Sequence, residues 1–150
     1  MDAALAYLHF ASIMLLTAFL VSELCLCTPR LRVEQVPMLA RLDLLYLIAA
    51  IAALASGALR LLVTGKGAGF YLSNPVFYIK LALFLAVGLV SISPTMQFLR
   101  WRRALNAGEQ PVLRTDDIRA ARRYIGLELA LLAFIPFTAV LMARGIGLQR

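Results

Sequence analysis

The residues able to do chemistry are few, and they stand where charge is expensive. His9, Glu23, Arg60, Lys80 and Glu128 fall within long apolar runs, and Arg41 and Asp43 stand at the entrance of one. A charge held at mid-bilayer costs on the order of 3 kcal/mol. Each of these groups is therefore a functional candidate, with a structural ion pair as the standing alternative. His9 is the chain's single histidine. A neutral imidazole ligates haem iron, and a deprotonated lysine on a facing helix can close the sixth position. That makes His9 and Lys80 the candidate metal ligands. Arg60 and Lys66 suit propionates at the membrane surface, with Tyr71 in the same connection. A histidine merely hydrogen-bonded within a bundle is the plainer reading.

Counting along the chain puts these groups in two layers. His9 lies six residues after Ala3 and Lys80 six after Asn74, so at about 1.5 Å per residue both sit roughly 9 Å into their helices. Arg60, near the far end of the second run, joins them in an outer layer. Glu23 follows His9 by fourteen residues, close to four turns, so both share one helix face. Glu23, Arg41, Asp43 and Glu128 form an inner layer of alternating charge. The plainer reading is mutual neutralisation that locks the helices. The functional one is a cation or proton site on Glu23 and Glu128.

The elements that must position these residues are membrane spans. Of 150 residues, 62% are hydrophobic and 15% charged, far from a soluble domain's composition. A span needs about 20 mostly apolar residues, and four segments qualify, at about 3–26, 44–63, 76–99 and 125–142. The expectation is one domain, 1–150, an all-α antiparallel bundle of four transmembrane helices. Thr28-Pro29 stops the first helix, and Asn74-Pro75 starts the third with a cap and a proline at the first position. Asn106-Ala107-Gly108 ends the third, and Thr115-Asp116-Asp117 opens the fourth with acids at its positive end. Pro94 and Pro136 remove backbone donors within spans and favour kinks. The first segment has no basic residue at its start and no cleavage site, so it is no signal peptide.

The net charge of +7 reports orientation. Arg30, Arg32, Arg41, Arg100, Arg102, Arg103, Arg114, Arg119, Arg122 and Arg123 lie on one side. Arg60, Lys66, Arg144 and Arg150 lie on the other. The positive-inside rule puts both termini on the non-cytoplasmic side. No basic face interleaved with aromatics is present, which excludes nucleic acid as a partner. Ala49, Ala53 and Gly57 repeat every four residues, a face that admits a close helix neighbour. Cys25-Leu26-Cys27 is neither a CxxC motif nor a metal site. Gly65-Lys66-Gly67-Ala68-Gly69 lacks the spacing of a phosphate loop.

Certain runs carry a resemblance. They are Leu5-Ala6-Tyr7-Leu8-His9-Phe10, Arg41-Leu42-Asp43-Leu44-Leu45-Tyr46, Gly57-Ala58-Leu59-Arg60 and Tyr71-Leu72-Ser73-Asn74-Pro75 leading to Phe77-Tyr78-Ile79-Lys80. Ser93-Pro94-Thr95, Phe98-Leu99-Arg100-Trp101-Arg102-Arg103 and Met142-Ala143-Arg144-Gly145-Ile146-Gly147 follow. Together they resemble the bacterial membrane proteins grouped as domain of unknown function 2214, over nearly the whole chain. That resemblance implies four spans in a bacterial inner membrane and no established activity. More distantly, the chain is similar to the HemJ-type protoporphyrinogen oxidases. There a His early in one span and a Lys early in another are implicated in holding haem b, and His9 and Lys80 match in order and depth. The first span has Ser12-Ile13-Met14 where that pattern has a Trp, which argues against oxidase activity more than against haem.

Three functions follow as expectations. The first is a haem b protein with a redox or porphyrin-handling role. The second is a non-enzymatic subunit of a larger membrane complex or homo-oligomer, docking through the small-residue face of the second helix. The third is a small cation or proton transporter. In each the lipid bilayer is the immediate partner.

Overall fold

The computed structural model describes residues 2–63 and 75–144. Helix α1 is Asp2–Leu26, α2 is Val36–Val63, α3 is Pro75–Asn106 and α4 is Thr115–Ala143. A single 3-10 turn at Val33–Gln35 leads into α2. Among the described residues there is no strand. Three helical segments, Ala3–Leu26, Val33–Leu62 and Pro75–Asn106, are long and apolar enough to cross a membrane; they correspond to α1, to α2 with its leading 3-10 turn, and to α3. The apolar run of α4 extends into residues whose side chains lie outside those described.

The helices outrun the apolar segments that announce them. Helix α2 starts at Val36, eight residues before Leu44, because Pro37 falls in its first turn, where a missing N–H costs nothing. Arg41 and Asp43 are thus helical residues. Helix α3 continues through Pro94 and α4 through Pro136. Helix α3 ends where the sequence places its stop. Gly108 takes φ of 76°, the Glu109 amide donates to the Ala104 carbonyl at 2.9 Å, and the Gly108 amide donates to Leu105 at 3.0 Å. This is a Schellman ending, and its left-handed residue suits glycine.

The chain makes two hairpins, α1 with α2 and α3 with α4, each extensively packed. Contacts between the hairpins, α2 on α3 and α1 on α4, are much sparser. The buried core gathers toward the end bearing the two arginine-rich connections, called the inner end below. Leu20, Val36, Leu39, Phe98, Ile118 and Ile125 are completely enclosed there. Leu8, Met14, Leu47, Ile51, Leu85, Leu89 and Phe134 are exposed, as expected of side chains that meet lipid rather than water.

The small-residue face of α2 is spent inside the chain. Ala49, Ala53 and Ser56 are buried, and Gly57 lies against the His9 ring of α1. That face is covered by α1, so it is not free to dock a partner subunit.

Candidate functional site

The outer group assembles on the first hairpin. The Ala53 carbonyl can only accept, so His9 Nδ1 carries the proton and donates to it at 3.0 Å, with the Ser56 hydroxyl oxygen also in reach at 3.1 Å. Ser56 Oγ donates in turn to the Ala52 carbonyl at 2.6 Å. A histidine fixed through Nδ1 keeps Nε2 as its acceptor. Lys80 and Arg60 lie within electrostatic range of the imidazole, and the Arg60 guanidinium stands 5.8 Å from the centre of the Phe10 ring. The structure thus brings His9, Lys80 and Arg60 to one level. Lys66 and Tyr71 lie outside the described residues.

What holds His9 is the glycine opposite. A Cβ built on Gly57 would sit 3.1 Å from the ring's Cε1. The imidazole occupies the space a side chain would take, which is why α1 and α2 approach closely at that turn.

The inner group differs from its expected form. Glu23 and Glu128 are each 1% exposed and Asp43 7%, but Arg41 is exposed. Among the described residues no base forms a salt bridge with any of the three carboxyls, and the ion pair seen is Asp116 with Arg119 at the surface. The alternating-charge layer is therefore corrected to a cluster of three acids. The cause is helical geometry, because residues 41 and 43 are about 200° apart around α2 and cannot both face inward.

Every helix contributes to this cluster. Glu23 of α1 is in electrostatic range of Asp43 of α2 and Glu128 of α4. Thr95 of α3 donates its hydroxyl to Asp43 Oδ1 at 2.7 Å. The Tyr46 hydroxyl of α2 lies beside Glu128 and Ser91, yet both Glu128 oxygens and Oε1 of Glu23 lack a hydrogen bond of good geometry. A buried polar atom without a partner costs about 1–3 kcal/mol, and more when charged. Among the described residues no three His, Cys, Asp or Glu side chains are placed to hold one metal ion.

One layer further in, Arg122 of α4 donates through Nη1 to the carbonyls of Leu24 and Cys27, the latter at 3.2 Å. These are carbonyls at the C-terminus of α1, which have no partner within their own helix. Cys27 is buried with its Sγ 3.8 Å from the Ile118 carbonyl. Burial pushes its thiol up to about 11, against the pull of the Arg122 charge.

The family described as "Predicted membrane protein (DUF2214)" matches residues 1–147. The chain belongs to it. No curated protein and no solved structure matches this DUF2214 chain, so the likeness to HemJ-type oxidases receives no support from these comparisons. The DUF2214 description agrees with the fold in naming an integral membrane protein, and it assigns no reaction.

Several residues of this DUF2214 site escape a reading of charge alone. Tyr46 follows Asp43 by three residues and so shares its inward face, a spacing that was available in the sequence. Thr95 directly follows Pro94 and had no mark of its own. Arg122 reads as one more topological base, and only the packing of α4 on α1 gives it a partner.

Proposed function

We propose that this protein exchanges protons within the membrane at the carboxyl cluster of Glu23, Asp43 and Glu128, as a proton-coupled carrier or proton conductor does. The observation that carries this reading is the burial of Glu23 and Glu128 with unsatisfied carboxyl oxygens, in a cluster that no base completes among the described residues. Structural carboxyls in membranes are normally neutralised by a partner. Three acids without one are matched by the smallest cation, which needs no chelating geometry. The groups facing the cluster are Asp43 and Tyr46 from α2, Ser91 and Thr95 from α3, Glu128 from α4 and the Cys27 thiol just past α1, around Glu23 of α1. The Arg122 contacts lie on backbone carbonyls rather than on the acids.

The chemistry is reversible transfer of a proton to a carboxylate oxygen, with the Tyr46 and Thr95 hydroxyls placed to redistribute hydrogen bonds as it arrives. Difference infrared spectroscopy of the full chain in lipid should show a protonated-carboxyl band that titrates with pH. Glu23→Gln and Glu128→Gln, which keep side-chain shape, should each diminish it. A titration identical in wild type and both variants would overturn the reading.

A haem b site at His9 and Lys80 is a second reading. It is favoured by the donation from His9 Nδ1 to the Ala53 carbonyl, since a hydrogen bond from the far ring nitrogen is what orients metal-bound histidines. Haem would supply one-electron redox chemistry, while the chain's own part is to hold His9 through Ala53 and Ser56 and to present Lys80 at the same level. Protein purified from haem-replete cells should then show a Soret band that His9→Ala removes. A colourless preparation sinks this reading and leaves the carboxyl cluster untouched.

A further inference from the structure

A groove of about 330 Å³ runs along the seam of α2 and α3, with Leu16 of α1 at its back. That is the lower end of the range for small-molecule sites, about 300–1,000 Å³. Its walls are apolar, including Phe84 and Val87. Leu47, Ile92 and Met96 at its edge are exposed, so its mouth faces hydrocarbon. Gly88 lines it, and a Cβ added there meets nothing within 4 Å.

The polar part of the lining is Tyr46, Ser91 and Thr95, the hydroxyls that stand in front of the acids. Ser91 donates to the Gly88 carbonyl at 2.8 Å and Thr95 donates to Asp43. Their hydrogens are spent, and what they offer the groove is lone pairs. A hydroxyl turned this way accepts from a donor or faces a positive charge. Behind it lie three acids, two with oxygens that lack a hydrogen bond of good geometry. Tyr46 and Phe84 also line the groove, and aromatic side chains attract cations.

We propose that the α2–α3 groove binds membrane-soluble organic cations, apolar molecules bearing one delocalised positive charge, with the carboxyl cluster as counter-charge. The inference rests on the proton-exchange reading of that cluster and gives it a substrate class. Protons and the organic cation compete for the same negative charge, so loading one releases the other. A neutral lipid chain fills such a groove by shape alone and has no use for the acids. A lipid anion is repelled by them.

The test uses tetraphenylphosphonium and the full chain in detergent. Binding should weaken at least about tenfold, a difference well within titration range, as pH falls from mildly alkaline to mildly acid. Glu128→Gln should weaken it comparably and flatten the pH dependence. Gly88→Leu and Gly88→Phe should weaken binding in order of size while leaving the helical content and the infrared carboxyl titration unchanged. Binding no greater than to protein-free micelles, binding independent of pH, or binding unaffected by Gly88→Phe would each overturn the proposal. So would equal competition by neutral triphenylphosphine oxide. An intact carboxyl titration with no cation binding removes this inference alone. Loss of the titration removes the proton reading beneath it.

Discussion

Replacing Gly57 by leucine should destabilise the protein by about 2–3 kcal/mol, at the upper end of what overpacking costs. Any Cβ at this position meets the His9 ring at 3.1 Å, and the ring cannot retreat without giving up its hydrogen bond to the Ala53 carbonyl. Gly57→Ala should cost less, because a shift of a few tenths of an ångström accommodates one methyl. Urea unfolding in mild detergent would measure both. The decisive comparison is the double variant His9→Ala with Gly57→Leu. Removing the ring vacates the space the leucine needs, so the double variant should be more stable than the sum of the single effects implies. Strict additivity would show that the two residues are not coupled.

Arg122→Met should cost about 2 kcal/mol or more, since a hydrogen bond to a charged donor contributes roughly 1.5–3 kcal/mol and Arg122 makes two to the end of α1. Methionine preserves much of the stem's packing while removing the donors and the charge. Arg122→Lys should recover part of the loss, because an ammonium lacks the planar fork but still reaches a carbonyl. Cys27 reports the same event. In the wild type it is buried with its thiol pushed up to about 11. The reactive thiolate is therefore scarce at neutral pH and increases about tenfold per pH unit below that value. A maleimide should leave Cys27 unmodified at neutral pH in a Cys25→Ser background and modify it in the Arg122→Met variant, where the end of α1 loosens. Equal resistance in both would mean that Arg122 does not hold that end.

The four helices were legible because lipid imposes a simple rule, namely runs of apolar residues separated by turn residues. The Gly108 ending of α3 could be read from Asn106-Ala107-Gly108. The start of α2 could not be read from hydropathy. Leu39 and Ala40 are buried against neighbours at the inner end, and a helix stabilised by protein contacts continues past the apolar boundary. The depths of His9, Lys80, Glu23 and Glu128 follow from counting, since rise per residue is constant. Their partners do not, because partners depend on helix rotation. Asp43 shows where the sequence held more than charge alone revealed. Its spacing from Arg41 forbids both from facing inward, and its spacing to Tyr46 puts that hydroxyl on the buried face. Arg122 had no such internal signal, because its carbonyl partners lie 95 and 98 residues away in the chain.

Among the described residues, the bonds from Thr95 to Asp43, from Arg122 to Leu24 and Cys27, and from Cys27 to Ile118 tie the two hairpins together at the inner end. Asp43 belongs both to this set of bonds and to the carboxyl cluster, so the contacts that join the hairpins and the groups that would take up a proton are one connected structure.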